Sequence, residues 1–128
     1  MRPASQPLSE SELERALADL PGWRVERDAL AKTFSFADFR VALAWMVRVG
    51  FEAEELDHHP EWTNVFRRVH VRLSTHSAGG RVTALDIELA ARMERLTDAS
   101  PPAPGAKSGG LGKFVNSPRV RRSSSAQG

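Results

Sequence analysis

A chain of 128 residues, 41% hydrophobic and 27% charged, has room for one folded domain and little more. It contains no cysteine, which excludes disulfides and thiol chemistry. No run approaches the roughly twenty apolar residues of a membrane span, and MRPASQPLSE lacks the apolar stretch of a signal peptide, so a soluble, cytoplasmic protein without membrane partners is expected. The net charge of +2 is unevenly placed. Residues 97–128 hold Lys107, Lys113, Arg119, Arg121 and Arg122 against Asp98, a net of +4 that leaves about −2 for residues 1–96.

In chain order, Ser9 reads as the N-cap of a first helix, with Glu12 completing a capping box and Leu8 and Leu13 placed as a hydrophobic staple. Leu13, Leu17 and Leu20 give its buried stripe, and Pro21-Gly22 ends it. Two short strands follow, Trp23 to Glu26 and Leu30 to Phe36, across a turn at Arg27-Asp28-Ala29. Residues 37–55 form the longest predicted helix, with Phe39, Leu43, Met46, Val47, Gly50 and Ala53 as its apolar face and Trp45 and Phe51 off that stripe. Glu54 and His58, four apart, would stack on one side if helix continued that far.

Pro60 stops that helix. Beyond it, Val69, Val71, Leu73 and Thr75 alternate with His70, Arg72, Ser74 and His76 as in a half-buried strand. Pattern alone leaves open whether Trp62 to Phe66 extends this strand or pairs back on it through Arg67-Arg68. Gly79-Gly80 marks a turn. Thr83 caps a last helix with Asp86 as its third residue and Leu85, Leu89, Met93 and Leu96 as its stripe. The order argues for an α+β domain, helices covering one face of an antiparallel sheet. From Thr97 the sequence turns rich in Pro, Gly and Ser, which predicts a disordered basic tail over 97–128 and a folded domain over 1–96. The tail reads as a solvated extension, and nucleic acid is not an expected partner.

All four histidines fall between positions 58 and 76. His58-His59-Pro60-Glu61-Trp62 joins two of them to a carboxylate, a tryptophan and a turn-forming proline. Imidazole, with an unperturbed pKa of about 6.5, both gives and takes protons near neutrality. Such a cluster suits proton transfer on a flat polar ring.

The run Glu54-x-x-x-His58-His59-Pro60-Glu61-Trp62-x-Asn64-Val65-Phe66, then Ser74-Thr75-His76-x-x-Gly79-Gly80 and Asp86, resembles the signature of the pterin-4a-carbinolamine dehydratases from about Trp23 to Leu96. The resemblance implies a four-stranded antiparallel sheet with three helices on one face, in the order α-β-β-α-β-β-α. It also implies homodimers or homotetramers and no metal or other cofactor. The implied reaction removes water from a 4a-hydroxytetrahydropterin to give quinonoid dihydropterin, in support of tetrahydropterin recycling. His58 and His76 would be its acid–base pair, and His59 would bind and orient the pterin. Glu54 and Asp86 would accept N–H donors from rings or imidazoles, and Trp62, Ser74 and Thr75 would line the substrate site. Asp86 has a plain capping-box role as an alternative. Two departures stand out: Phe66 replaces a frequent tyrosine, and the interval from His76 to Asp86 is one residue longer than usual.

Two other functions fit parts of the sequence. A zinc site could draw on His58, His59 and His76, although adjacent histidines on extended backbone point to opposite sides. A non-catalytic dimerisation or coactivator-type module would have no need of all three site histidines.

Overall fold

Two tight hairpins build the sheet, each closed by side-chain-bearing residues in the left-handed region. The computed structural model describes residues 6–98. In the first hairpin β1 (Arg24–Glu26) and β2 (Ala29–Ser35) pair with Glu26 opposite Ala29. Both turn residues, Arg27 and Asp28, have positive φ (49° and 66°), as a twist-matched two-residue turn requires. The second hairpin joins β3 (Glu61–Val65) to β4 (Arg68–Leu73) through Phe66, at φ 54°, and Arg67. The segment from Trp62 thus pairs back on the following strand. The turn is Phe66-Arg67, and Asn64 Nδ2 secures it by donating to the carbonyls of Phe66 (3.1 Å) and Arg68 (2.9 Å).

The strand order is β1-β2-β4-β3, antiparallel throughout. Register places Leu30 opposite Leu73 and Phe34 opposite Val69, so the period of two sends Leu30, Phe34, Val69, Val71 and Leu73 into one buried core. Thr33, His70 and Thr63 form an exposed row on the opposite face.

Three helices cover the core side: α1 (Glu10–Leu17), α2 (Phe39–Leu56) and α3 (Ala84–Asp98). The Ser9–Glu12 capping box forms as expected, with Leu8 and Leu13 packed against the core. Helix α1 stops at Leu17, and successive turns carry Leu20 into the core ahead of Pro21-Gly22.

Helix α2 corrects the expected orientation. Ala42, Trp45, Val49 and Ala53 are its buried residues, whereas Phe39, Leu43, Val47 and Phe51 are 43–73% exposed. Trp45, expected off the stripe, is central: its ring packs on Phe34 and Phe36 and its Nε1–H donates to the Met93 carbonyl at 3.1 Å. The helix carries two apolar stripes, and only one can face the sheet.

Helix α3 buries Leu89, Ala90 and Met93. Arg92 ties α3 to α2 through Glu52 and Glu55, with Glu88 as its partner one turn back. The hydrogen bond that Arg92 donates to Glu88, then the one it donates to Glu55, raises its pKa above the ordinary value. Glu94 accepts from Trp23 Nε1 at 2.8 Å and from Lys32, whose ammonium also reaches the Pro21 carbonyl. Lys32 therefore occupies a core-facing strand position with its charge at the edge. Thr97 and Asp98, expected at the start of the tail, continue α3, and residues 99–128 of the expected basic tail lie outside the described residues.

Candidate active site

The C-terminus of α2 decides where the histidine pair begins. Asp57 adopts the left-handed conformation (φ 50°), its N–H bonds the Glu54 carbonyl at 3.1 Å, and the His58 N–H reaches back to Ala53 O at 3.0 Å. This pair of bonds is a Schellman closure. It takes His58 out of helical register, so Glu54 and His58 do not stack. Glu54 instead accepts from His59, Oε1 to Nε2 at 3.0 Å, and both side chains are exposed.

His58 is buried and turns inward to Asp86, with Nε2 2.6 Å from Oδ1. Asp86 is fully buried. Its other oxygen, Oδ2, accepts the Thr75 hydroxyl at 2.8 Å and the backbone N–H of Thr83 at 2.9 Å. Thr83 precedes α3, and its Oγ1 accepts the Leu85 N–H at 3.2 Å. Asp86 closes the N-terminus of α3 from the third helical position and meets His58 with the opposite oxygen. A buried carboxylate needs several donors, and here it has them.

The loop between β4 and α3 makes this possible. Thr75 N–H bonds Arg81 O at 2.9 Å, and a short 3₁₀ turn over His76–Ala78 is followed by Gly79 and Gly80, both at positive φ. The additional residue between His76 and Asp86 therefore does not part Asp86 from its partners. His76 begins the 3₁₀ turn directly after buried Thr75, with its ring exposed and without a hydrogen bond among the described residues. Ser74 is half-buried at the end of β4. Trp62, on the core-facing side of β3, is half-buried with its ring 6.2 Å from that of Trp45. Phe66 sits exposed in the β3–β4 turn, and His70 bonds Thr33 on the open sheet face.

Two of the expected residues, His58 and Asp86, thus meet directly, together with Thr75; His59 and Glu54 form a separate exposed pair. Sequence reasoning assigned Thr83 only a capping role. The signal that could have revealed more was Thr83-x-x-Asp86, a capping box whose carboxylate was already a site candidate. A 180 Å³ groove on the open sheet face and a 310 Å³ cleft beside α1 are lined by none of His58, His59 and His76. Among the described residues no group of three or more His, Cys, Asp or Glu side chains is placed to hold a metal ion.

The chain is thus an α+β domain whose sheet and capped helix bring a histidine onto a buried carboxylate. The model of the pterin 4 alpha carbinolamine dehydratase family matches residues 6–96, and the chain belongs to that family. A protein of Opitutus terrae named as a pterin-4-alpha-carbinolamine dehydratase is 56% identical over 90 residues, 70% of this chain and 93% of that protein. One of Bradyrhizobium diazoefficiens, named likewise, is 51% identical over 90 residues, covering 69% and 89%. Among solved structures, a transcriptional coactivator/pterin dehydratase from Brucella melitensis superposes with a TM-score of 0.68 at 43% identity, covering 71% of this chain and 98% of that one. No helix among the described residues is long and apolar enough to cross a membrane.

Proposed function

We propose that this hydro-lyase dehydrates a 4a-hydroxytetrahydropterin by histidine acid–base catalysis, returning quinonoid dihydropterin to the tetrahydropterin cycle. The observation that carries the mechanism is the buried His58–Asp86 contact of 2.6 Å. A carboxylate placed on one ring nitrogen orients the imidazole and leaves the other nitrogen for proton exchange. In the reaction the C4a–O bond breaks, the hydroxyl leaves as water after taking a proton, N5 loses its proton, and a C4a=N5 double bond forms. His58 and His76 take the two proton transfers. His59, paired with Glu54 at the end of α2, binds and orients the pterin. Trp62 and Ser74 border the substrate. The family membership and the names carried by the relatives support the substrate class.

A second reading is favoured by the exposed row Phe39, Leu43, Val47 and Phe51 on α2, together with the coactivator in the description of the Brucella protein. In that reading the domain is a binding module. A module of that kind has no use for a buried histidine–carboxylate pair, so the enzymatic reading stands first. The apolar row serves it equally well as a contact between copies in a homodimer or homotetramer. Dehydration of chemically generated 4a-hydroxytetrahydropterin, followed spectrophotometrically, tests the function. Turnover unaffected by a chelator is the expected result; loss of turnover on chelation with recovery on adding zinc would overturn the metal-free mechanism.

A further inference from the structure

We infer that Thr75 and Thr83 are positioning residues: their hydroxyls form a one-way hydrogen-bond chain through Asp86 that holds neutral His58 as its Nε2–H tautomer and makes Nδ1 its working nitrogen. The direction of the chain follows from counting protons. Asp86 as a carboxylate has no proton to give. Thr75 Oγ1 spends its single proton on Asp86 Oδ2 at 2.8 Å. In the 2.6 Å contact between the two threonine hydroxyls, Thr83 must then be the donor. Thr83 Oγ1 in turn accepts the Leu85 N–H. Every member of the chain is thereby committed, and Asp86 Oδ1 remains as an acceptor for His58 Nε2–H.

Thr75, Thr83 and Asp86 are 3%, 0% and 0% exposed, so neither hydroxyl has an open side for a substrate. This moves Thr75 from the expected substrate contacts to the support of His58. Burial also keeps water from offering Asp86 other donors, so the tautomer is set by the protein alone. His58 Nδ1 has no partner among the described residues and is the nitrogen left for chemistry.

The kinetic part of this inference rests on the dehydratase reading, whereas the tautomer does not. Long-range proton–nitrogen NMR of protein with labelled histidine reads the tautomer directly, the His58 ring being assigned by its absence in His58→Gln. A proton on Nε2 is expected; a proton on Nδ1 in neutral His58 would overturn the inference. Thr75→Val, which keeps the shape and removes the hydroxyl, takes away a donor that fixes Asp86 Oδ2, so His58 is expected to keep its Nε2 proton while its ring loses its fixed orientation. The substitution should lower kcat about tenfold to a hundredfold, the effect that loss of an orienting partner has on a metal-bound histidine, with KM nearly unchanged. Thr75→Ser is expected to restore most of the loss. Unchanged kcat in Thr75→Val, or a rise in KM alone, would return Thr75 to the substrate or to mere packing. The wild-type tautomer needs no threonine variant and remains decisive if Thr75→Val does not fold. A wild-type protein without dehydratase activity would count against the proposed function, and the spectrum would still judge the tautomer.

Discussion

His58 and His76 are held very differently, and the difference shapes what each can do. One is buried and bonded to a buried carboxylate; the other is exposed at the start of a 3₁₀ turn. If both move protons in the proposed reaction, His58→Ala and His76→Ala should each lower kcat by about 10²–10⁴. His59, exposed beside Glu54, should contribute mainly to binding, so His59→Ala should raise KM with a smaller change in kcat. Steady-state kinetics of the three variants checks both expectations, and wild-type constants in all three would remove these residues from the site. His58→Ala also leaves Asp86 buried without its imidazole, so its melting temperature should fall, unlike that of His59→Ala. The histidines and carboxylates were legible in the sequence as residue types and spacing. Their pairing was not. Twenty-eight residues separate His58 from Asp86, and a left-handed Asp57 that no glycine announces turns His58 away from Glu54.

Among the elements, α2 shows how periodicity can identify a helix and still misplace its face. Phe39, Leu43, Met46, Val47 and Gly50 recur as regularly as Ala42, Trp45, Val49 and Ala53, and the former set is the bulkier. The sheet selects the latter because small Ala42 and Ala53 allow close approach while Trp45 fills the space over Phe34 and Phe36. Strand faces were easier to read, since an alternation of two leaves only two choices, and Val69, Val71, Leu73 and Thr75 are all buried on one face as expected. Gly50 offers a test of the helix. A Cβ built there meets nothing within 4 Å among the described residues, so their packing does not require the glycine. Gly50→Ala should stabilise the protein by about 0.5–1 kcal/mol through backbone entropy, read as a rise in thermal midpoint. A fall would show that another surface packs closely against α2 at this point.

For the whole molecule, the placement of apolar surface argues for assembly. Phe39, Leu43, Val47 and Phe51 follow one another at intervals of four along α2, which aligns them in a single stripe, and each is at least 43% exposed. Among the described residues, β1 and β3 each have one neighbouring strand, and Val65 and Phe66 add exposed apolar surface at the β3 end. A stripe of this size on water is costly, and an open strand edge invites pairing. Closed two-fold symmetry satisfies either surface with a second copy of the same chain. Light scattering at micromolar concentration should therefore give at least twice the chain mass of 14.1 kDa. The double variant Val47→Glu with Phe51→Glu places charge in the stripe and should reduce the mass if the helix carries the contact. If the mass stays unchanged, the strand edges carry it; a wild-type mass of one chain would reject the assembly altogether.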